Sequence, residues 1–107
     1  MVYYKMILDD RRSKADSIYP VIIRVIHNRK NSSIATGIRV HKEYWDSMLC
    51  QIKTTHPNYA TLNPSLLELY IKVQRAIHSL DEANEFSFAS LKDRLDEKAK
   101  PYKINTN

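Results

Sequence analysis

Between Tyr19 and Val40 two strand patterns stand back to back, separated only by the polar run Asn28-Arg29-Lys30-Asn31. In the first, Val21, Ile23 and Val25 share one side while Ile22, Arg24 and Ile26 share the other, the period of two that a β-strand imposes. In the second, Ile34, Thr36, Ile38 and Val40 alternate with Ser33, Ala35, Gly37 and Arg39. Pro20 is tolerated at a strand start, where no ladder donor is needed. Asn in the connection accepts the left-handed backbone of a tight hairpin, although no Asn-Gly pair marks a turn type. Met1 to Leu8 is a third strand, with Tyr4, Met6 and Leu8 opposite Tyr3, Lys5 and Ile7. Three strands with short connections make an antiparallel meander.

After Val40 the periodicity changes. His41 to Asp46 reads as a short helical turn anchored by Tyr44 and Trp45, and Gln51-Ile52-Lys53 as a further short extended segment. His56-Pro57-Asn58 is a breaker. Asn63 as N-cap and Pro64 at the first helical position then open a helix expected to run to about Asn84. Its stripe is Leu66, Leu69, Tyr70, Val73, Ile77 and Leu80. Ser87 caps a second start, with Phe86 placed to pack on Leu91, and this helix ends before Pro101. The tail Tyr102 to Asn107 is polar and expected to fray.

A sheet of three strands needs a helix to bury one of its faces. The expected class is therefore α+β: a three-stranded antiparallel sheet packed against a C-terminal amphipathic helix, with a further short helix. Val21, Ile23, Val25, Ile34, Ile38, Val40 and Trp45 form the expected core with the Leu66–Leu80 stripe. The organisation is a basic β-meander with its Trp-containing turn over 1–58, the amphipathic helix over 59–85, and a short helix with a polar tail over 86–107.

Function is bounded first by what is scarce. Cys50 is the single cysteine, which removes an internal disulfide and a Cys-rich zinc site. His27, His41, His56 and His78 have no pair at the four-residue spacing that puts two imidazoles on one helical face, so no metal site is expected. Gly37 is the only glycine, which excludes Gly-rich phosphate loops; no cofactor is expected. No nucleophile–base pair or pair of carboxylates shares an expected pocket, so no catalytic residue is proposed. No apolar run approaches a bilayer span, and Met1-Val2-Tyr3-Tyr4-Lys5 lacks a signal-peptide core, so the expected location is cytoplasmic.

Charge then points to a partner. The net +5 arises entirely in residues 1–58, which hold ten Lys/Arg against five acids, while 59–107 is balanced. Between Asp16 and Glu43 there is no acid, yet Arg24, Arg29, Lys30, Arg39 and Lys42 lie there. A one-signed stretch is the footprint of a polyanion partner. The sheet face opposite the core carries Lys5, Arg24, Ser33 and Arg39, with Tyr3 beside them. A β-ribbon fits the roughly 12 Å major groove, where Arg donates two hydrogen bonds to guanine. Arg11, Arg12, Lys14, Arg29 and Lys30, in loops on either side, are placed to hold phosphates.

Other readings stand beside these. Arg24 also reads simply as a solvent-facing residue whose stem lies over Ile22 and Ile26, the lesser of its two readings beside cations of one sign. Arg29 and Lys30 also suit a hairpin tip for solubility alone. Ile7, Ile22 and Ile26 share the basic face, which fits contact with thymine methyl groups, cover by the last helix, or a reversal of the two faces. A protein-interaction module that docks a neighbouring subunit or an accessory factor through those isoleucines and the long helix, and a single-strand RNA binder using Tyr3, remain open at this level.

Several segments also carry a resemblance. Tyr19-Pro20-Val21-Ile22-Ile23-Arg24-Val25, then Ala35-Thr36-Gly37-Ile38-Arg39-Val40, then Tyr44-Trp45-Asp46 resemble, in order and spacing, the N-terminal arm DNA-binding domain of tyrosine recombinases, the integrases of phages and conjugative transposons. The likeness continues through His56-Pro57-Asn58 and the Leu-rich helix to Phe86-Ser87. It implies a three-stranded sheet, backed by a helix, that enters the major groove of arm-type duplex sites, with Lys5, Arg24 and Arg39 as groove contacts. It implies double-stranded DNA as partner, and other recombinase subunits or accessory DNA-bending factors on the same DNA. Full-length relatives continue into core-binding and catalytic domains; this chain has no His-x-x-Arg, and reads as a non-catalytic piece whose residues 86–107 lead toward a core-binding domain.

Overall fold

A computed structural model describes residues 1–12 and 14–99. The expected stop at Pro101 and the frayed tail Tyr102 to Asn107 lie outside the described residues. Three strands, β1 (Val2–Leu8), β2 (Ile18–His27) and β3 (Lys30–His41), form an antiparallel sheet in the order β1-β2-β3. A 3₁₀ turn (Lys42–Tyr44) leads into a small hairpin, β4 (Trp45–Asp46) with β5 (Gln51–Ile52). Two helices follow, α1 (Tyr59–Glu82) and α2 (Phe88–Ala99). This is the expected α+β class. The chain divides into two compact units, Met1–Tyr70 and Ile71 onward.

In the first unit the alternation works as the period of two requires. Val21, Ile23 and Val25 are completely buried, joined on the same side by Met6, Leu8, Tyr19 and Val40. The first half of α1 meets this side where Tyr70 lies against Tyr4, ring centroids 5.6 Å apart, and Leu66 is buried. Ile34, Ile38 and Trp45 are only half-buried. Ile52, paired with Trp45 across the small hairpin, is completely buried, whereas Trp45 keeps part of its surface in water.

The β2–β3 connection is a two-residue loop, Asn28-Arg29, with φ of 52° and 66°. Two successive left-handed residues match the right-handed twist of the strands, the geometry of a type I′ turn. Arg29 occupies a position glycine would take without steric cost. Further along, register shifts between Pro20 and Ile22: Ile22 faces Ala35 but Pro20 faces Arg39. The bulge residues on β3 are pinned by Thr36, whose hydroxyl donates to the Val21 carbonyl (2.7 Å) and accepts from the Ile38 N–H (3.1 Å). Gly37 has φ of 81° there, and a methyl group added to it would meet nothing within 4 Å. Its glycine answers a backbone requirement, not crowding.

The start of α1 departs from expectation. The helix begins at Tyr59, with the N–H groups of Thr61 and Leu62 both donating to the Asn58 carbonyl. Pro64 lies inside it, where its ring removes the bond to the carbonyl four residues back. Asn63 is not a cap: its Oδ1 accepts from the Ile52 N–H and its Nδ2 donates to the Ile52 carbonyl, both at 2.9 Å. A side-chain amide that satisfies both backbone groups of a buried residue is held there more firmly than at a solvent-exposed helix end.

In the second unit Val73, Ala76, Ile77 and Leu80 make a buried stripe, and Leu91 is buried on α2. The end of α1 is a Schellman motif: Asn84 is left-handed (φ 57°), Glu85 N–H donates to the Leu80 carbonyl and Asn84 N–H to the Asp81 carbonyl. Ser87 caps α2 as expected, its Oγ accepting from the Ser90 N–H at 3.0 Å. Phe86 meets Phe88 edge-on at 5.9 Å. Arg94 on α2 reaches the Ser79 hydroxyl at 3.3 Å.

Candidate nucleic-acid interface

The strand register decides which side chains share the face away from the core. Lys5 stands opposite Arg24 and Arg24 opposite Ser33, so the three form one row across all strands. Tyr3 faces Ile26 in the next row, and Arg39 faces Pro20 at the far end. Val21, Ile23 and Val25 are completely buried, so the core lies on the side assigned to it. Lys5, Ser33, Arg39 and Tyr3 are exposed, and Arg24 is half-buried between its neighbours.

The isoleucines of this face are not an exposed apolar patch. Ile22 is only 6% exposed, sitting in the row Ile7–Ile22–Ala35, and Ile7 and Ile26 are half-buried. The part of the interaction-module reading that relied on exposed isoleucines is corrected accordingly; Leu67 and Ile71 on α1 are exposed. The stem-covering account of Arg24 and a contact role for its guanidinium are compatible, since a half-buried arginine can bury its stem and keep its head in water.

The loop from Asp9 to Ser17 adds a second basic feature. Arg11, Arg12 and Lys14 line, with Arg39, Tyr19 and Pro20, an open basin of about 470 Å³. Sequence reasoning missed one member, Asp9. Its carboxylate accepts from Arg11 Nε at 2.7 Å and from Nη2 at 2.9 Å. The hydrogen bond from Arg11 holds the Asp9 carboxyl below the usual carboxylate range, against a smaller opposing effect of burial, and the Arg24 charge adds to the lowering. Arg11 is thus paired in place, whereas Arg12, Lys14, Arg24 and Arg39 have no ion pair among the described residues. The Asp9-x-Arg11 spacing was the available signal. Nothing local could have announced that the Tyr19 hydroxyl accepts from the Lys14 N–H at 3.3 Å, which ties the loop to β2.

Arg29 and Lys30 are brought to the opposite end. Both are exposed at the hairpin tip, seven residues along β2 from Pro20. At roughly 3.3 Å per residue the two basic ends lie ~23 Å apart, with the Lys5–Arg24–Ser33 row between them. A groove about 12 Å wide fits within that span. The structure therefore separates the candidate residues into a central row and two flanking clusters.

A basic sheet face, small residues among its cations, and flanking loop cations together describe a domain shaped to meet a polyanion. Residues 6–92 match the model of the arm DNA-binding domain family, and the chain belongs to that family, a DNA-binding domain of the type found in tyrosine recombinases and integrases. No match is found among curated proteins or among solved structures. Among the described residues no cluster of His, Cys, Asp and Glu is placed to hold a metal ion, and no helix is long and apolar enough to cross a membrane.

Proposed function

We propose that this chain anchors a tyrosine recombinase, in the cytoplasm, at arm-type duplex sites, with the outer sheet face in the major groove. The observation that carries the reading is the single row Lys5–Arg24–Ser33 on the face opposite the core, with Arg39 opposite Pro20 further along the same face. Lys5, Arg24 and Arg39 contact base edges, with Ser33 and Tyr3 beside them. Arg12 and Lys14 hold phosphates at one end of the sheet, Arg29 and Lys30 at the other, and Arg11 joins them when it leaves Asp9. The strand-exchange chemistry belongs to other domains of the recombinase, and its other subunits or a DNA-bending factor share the site.

The test is fluorescence anisotropy of a labelled duplex from the ends of the mobile element, against a scrambled duplex, at two salt concentrations. Each phosphate contact contributes about −0.9 to the slope of log K against log salt, so Arg12→Ala or Lys14→Ala flattens the slope by about that amount on both duplexes. Arg24→Ala instead narrows the gap between the duplexes by about 1–3 kcal/mol. Equal affinity for the two duplexes in the unaltered chain refutes base reading, and no binding at low salt refutes the whole proposal.

A further inference from the structure

We propose that the open edge of β1, with the apolar cleft beside it, receives an extended segment of a partner protein in which apolar and acidic residues alternate. The sheet order leaves β1 paired on one side only. Outside that ladder, the one backbone hydrogen bond involving β1 among the described residues is the Asp10 N–H to the Leu8 carbonyl. An unpaired row of N–H and C=O groups is a template for one more strand.

The cleft supplies what a bare edge lacks. It encloses about 510 Å³ between β1 (Lys5, Met6), the β4–β5 loop (Leu49) and the first half of α1 (Leu66, Leu67, Tyr70). Leu49 and Leu67 are 65% and 58% exposed, so its mouth is apolar surface left in water. Lys5 is the only charged residue in the lining. On an added strand successive side chains point to opposite faces. One set therefore enters the cleft on the core side, and the residues next to them reach the outer face where Lys5 stands. An apolar residue flanked by carboxylates satisfies both. A second copy of the chain fits poorly: antiparallel pairing of Val2–Leu8 with itself is centred on Lys5 and sets two ammonium groups against each other. The surface is independent of the DNA-binding proposal except through Lys5.

The whole chain is titrated, by amide NMR shifts, with a capped synthetic nonapeptide of alternating leucine and glutamate, and with the same peptide carrying lysine for glutamate. The acidic peptide is expected to shift β1 amides and slow the exchange of their outward N–H groups, and to bind at least about tenfold more tightly than the lysine peptide. Leu67→Glu, a change at an exposed position, is expected to leave folding and duplex affinity intact while weakening the acidic peptide by about tenfold. Lys5→Glu is expected to reverse the preference between the peptides. Equal binding of the two peptides, shifts centred away from β1, an unaffected Leu67→Glu variant, or self-association through β1 without peptide each overturns the proposal.

Discussion

Replacing Asn63 separates two physical roles that its position in the chain leaves indistinguishable. In the structure its amide bonds both backbone groups of Ile52, a residue with no solvent exposure. Asn63→Ala leaves one buried N–H and one buried C=O without a partner, at about 1–3 kcal/mol each. Asn63 lines the open cleft, so water reaches part of the gap, and the lower end, about 2–3 kcal/mol, is expected. With a shift of about 4–8 °C per kcal/mol for a domain of this size, Tm falls by roughly 10–20 °C. Asn63→Asp is the sharper test. Its carboxylate accepts from the Ile52 N–H but faces the Ile52 carbonyl, and only the protonated acid can donate to that oxygen. The folded pKa is then raised above the unfolded value of about 3.9. The stabilisation offered by the acid is present below that unfolded value and is lost as pH rises through the folded pKa. The variant should approach the parent near pH 3 and fall well below it at pH 7, read by thermal unfolding across that range. As an N-cap, Asp is as good as Asn. An Asn63→Asp chain as stable as the parent at pH 7 would therefore refute the clamp and restore the cap.

Three further perturbations follow from the same geometry. Arg29→Gly relieves a left-handed backbone cost of about 1–2 kcal/mol, partly offset by about 0.4–1 kcal/mol of extra unfolded-state entropy; denaturant midpoints should rise while duplex affinity falls through the lost cation. Gly37→Ala places a methyl on a residue at φ 81° in open space, so a loss of about 1–2 kcal/mol by urea unfolding is expected from backbone strain alone, and an unchanged midpoint would mean the bulge can relax. Asp9→Asn frees Arg11, so duplex binding should tighten at low salt and the salt slope steepen by about 0.9. The Asp9 pKa is lowered in the folded chain, so the stability its pair contributes holds above the unfolded value of about 3.9 and disappears as pH falls through the folded one; in Asp9→Asn this acid-range component should be missing from the stability profile.

What the amino-acid sequence determined by itself is whatever depends on neighbours a few residues away. Alternation in Val21–Val25 and Ser33–Val40 specifies strands and their faces, because successive side chains of an extended chain must diverge. Ser87 specifies the start of α2, because its hydroxyl reaches an N–H only three residues on. The excess of cations over residues 1–58 is a property of composition and needs no fold. The tertiary structure decided the rest. Asn63-Pro64 carries the local marks of a helix start, yet Asn63 finds partners eleven residues back in the chain and the helix begins at Tyr59 instead. Ile52 is completely buried and Trp45 only partly, a difference that has no signature in either residue's own neighbourhood. The row Lys5–Arg24–Ser33 needed the register, and the gathering of Arg12 and Lys14 with Arg39 needed the bulge and the Tyr19 tether. Local rules are read one stretch at a time, whereas a binding face is made where separate stretches meet.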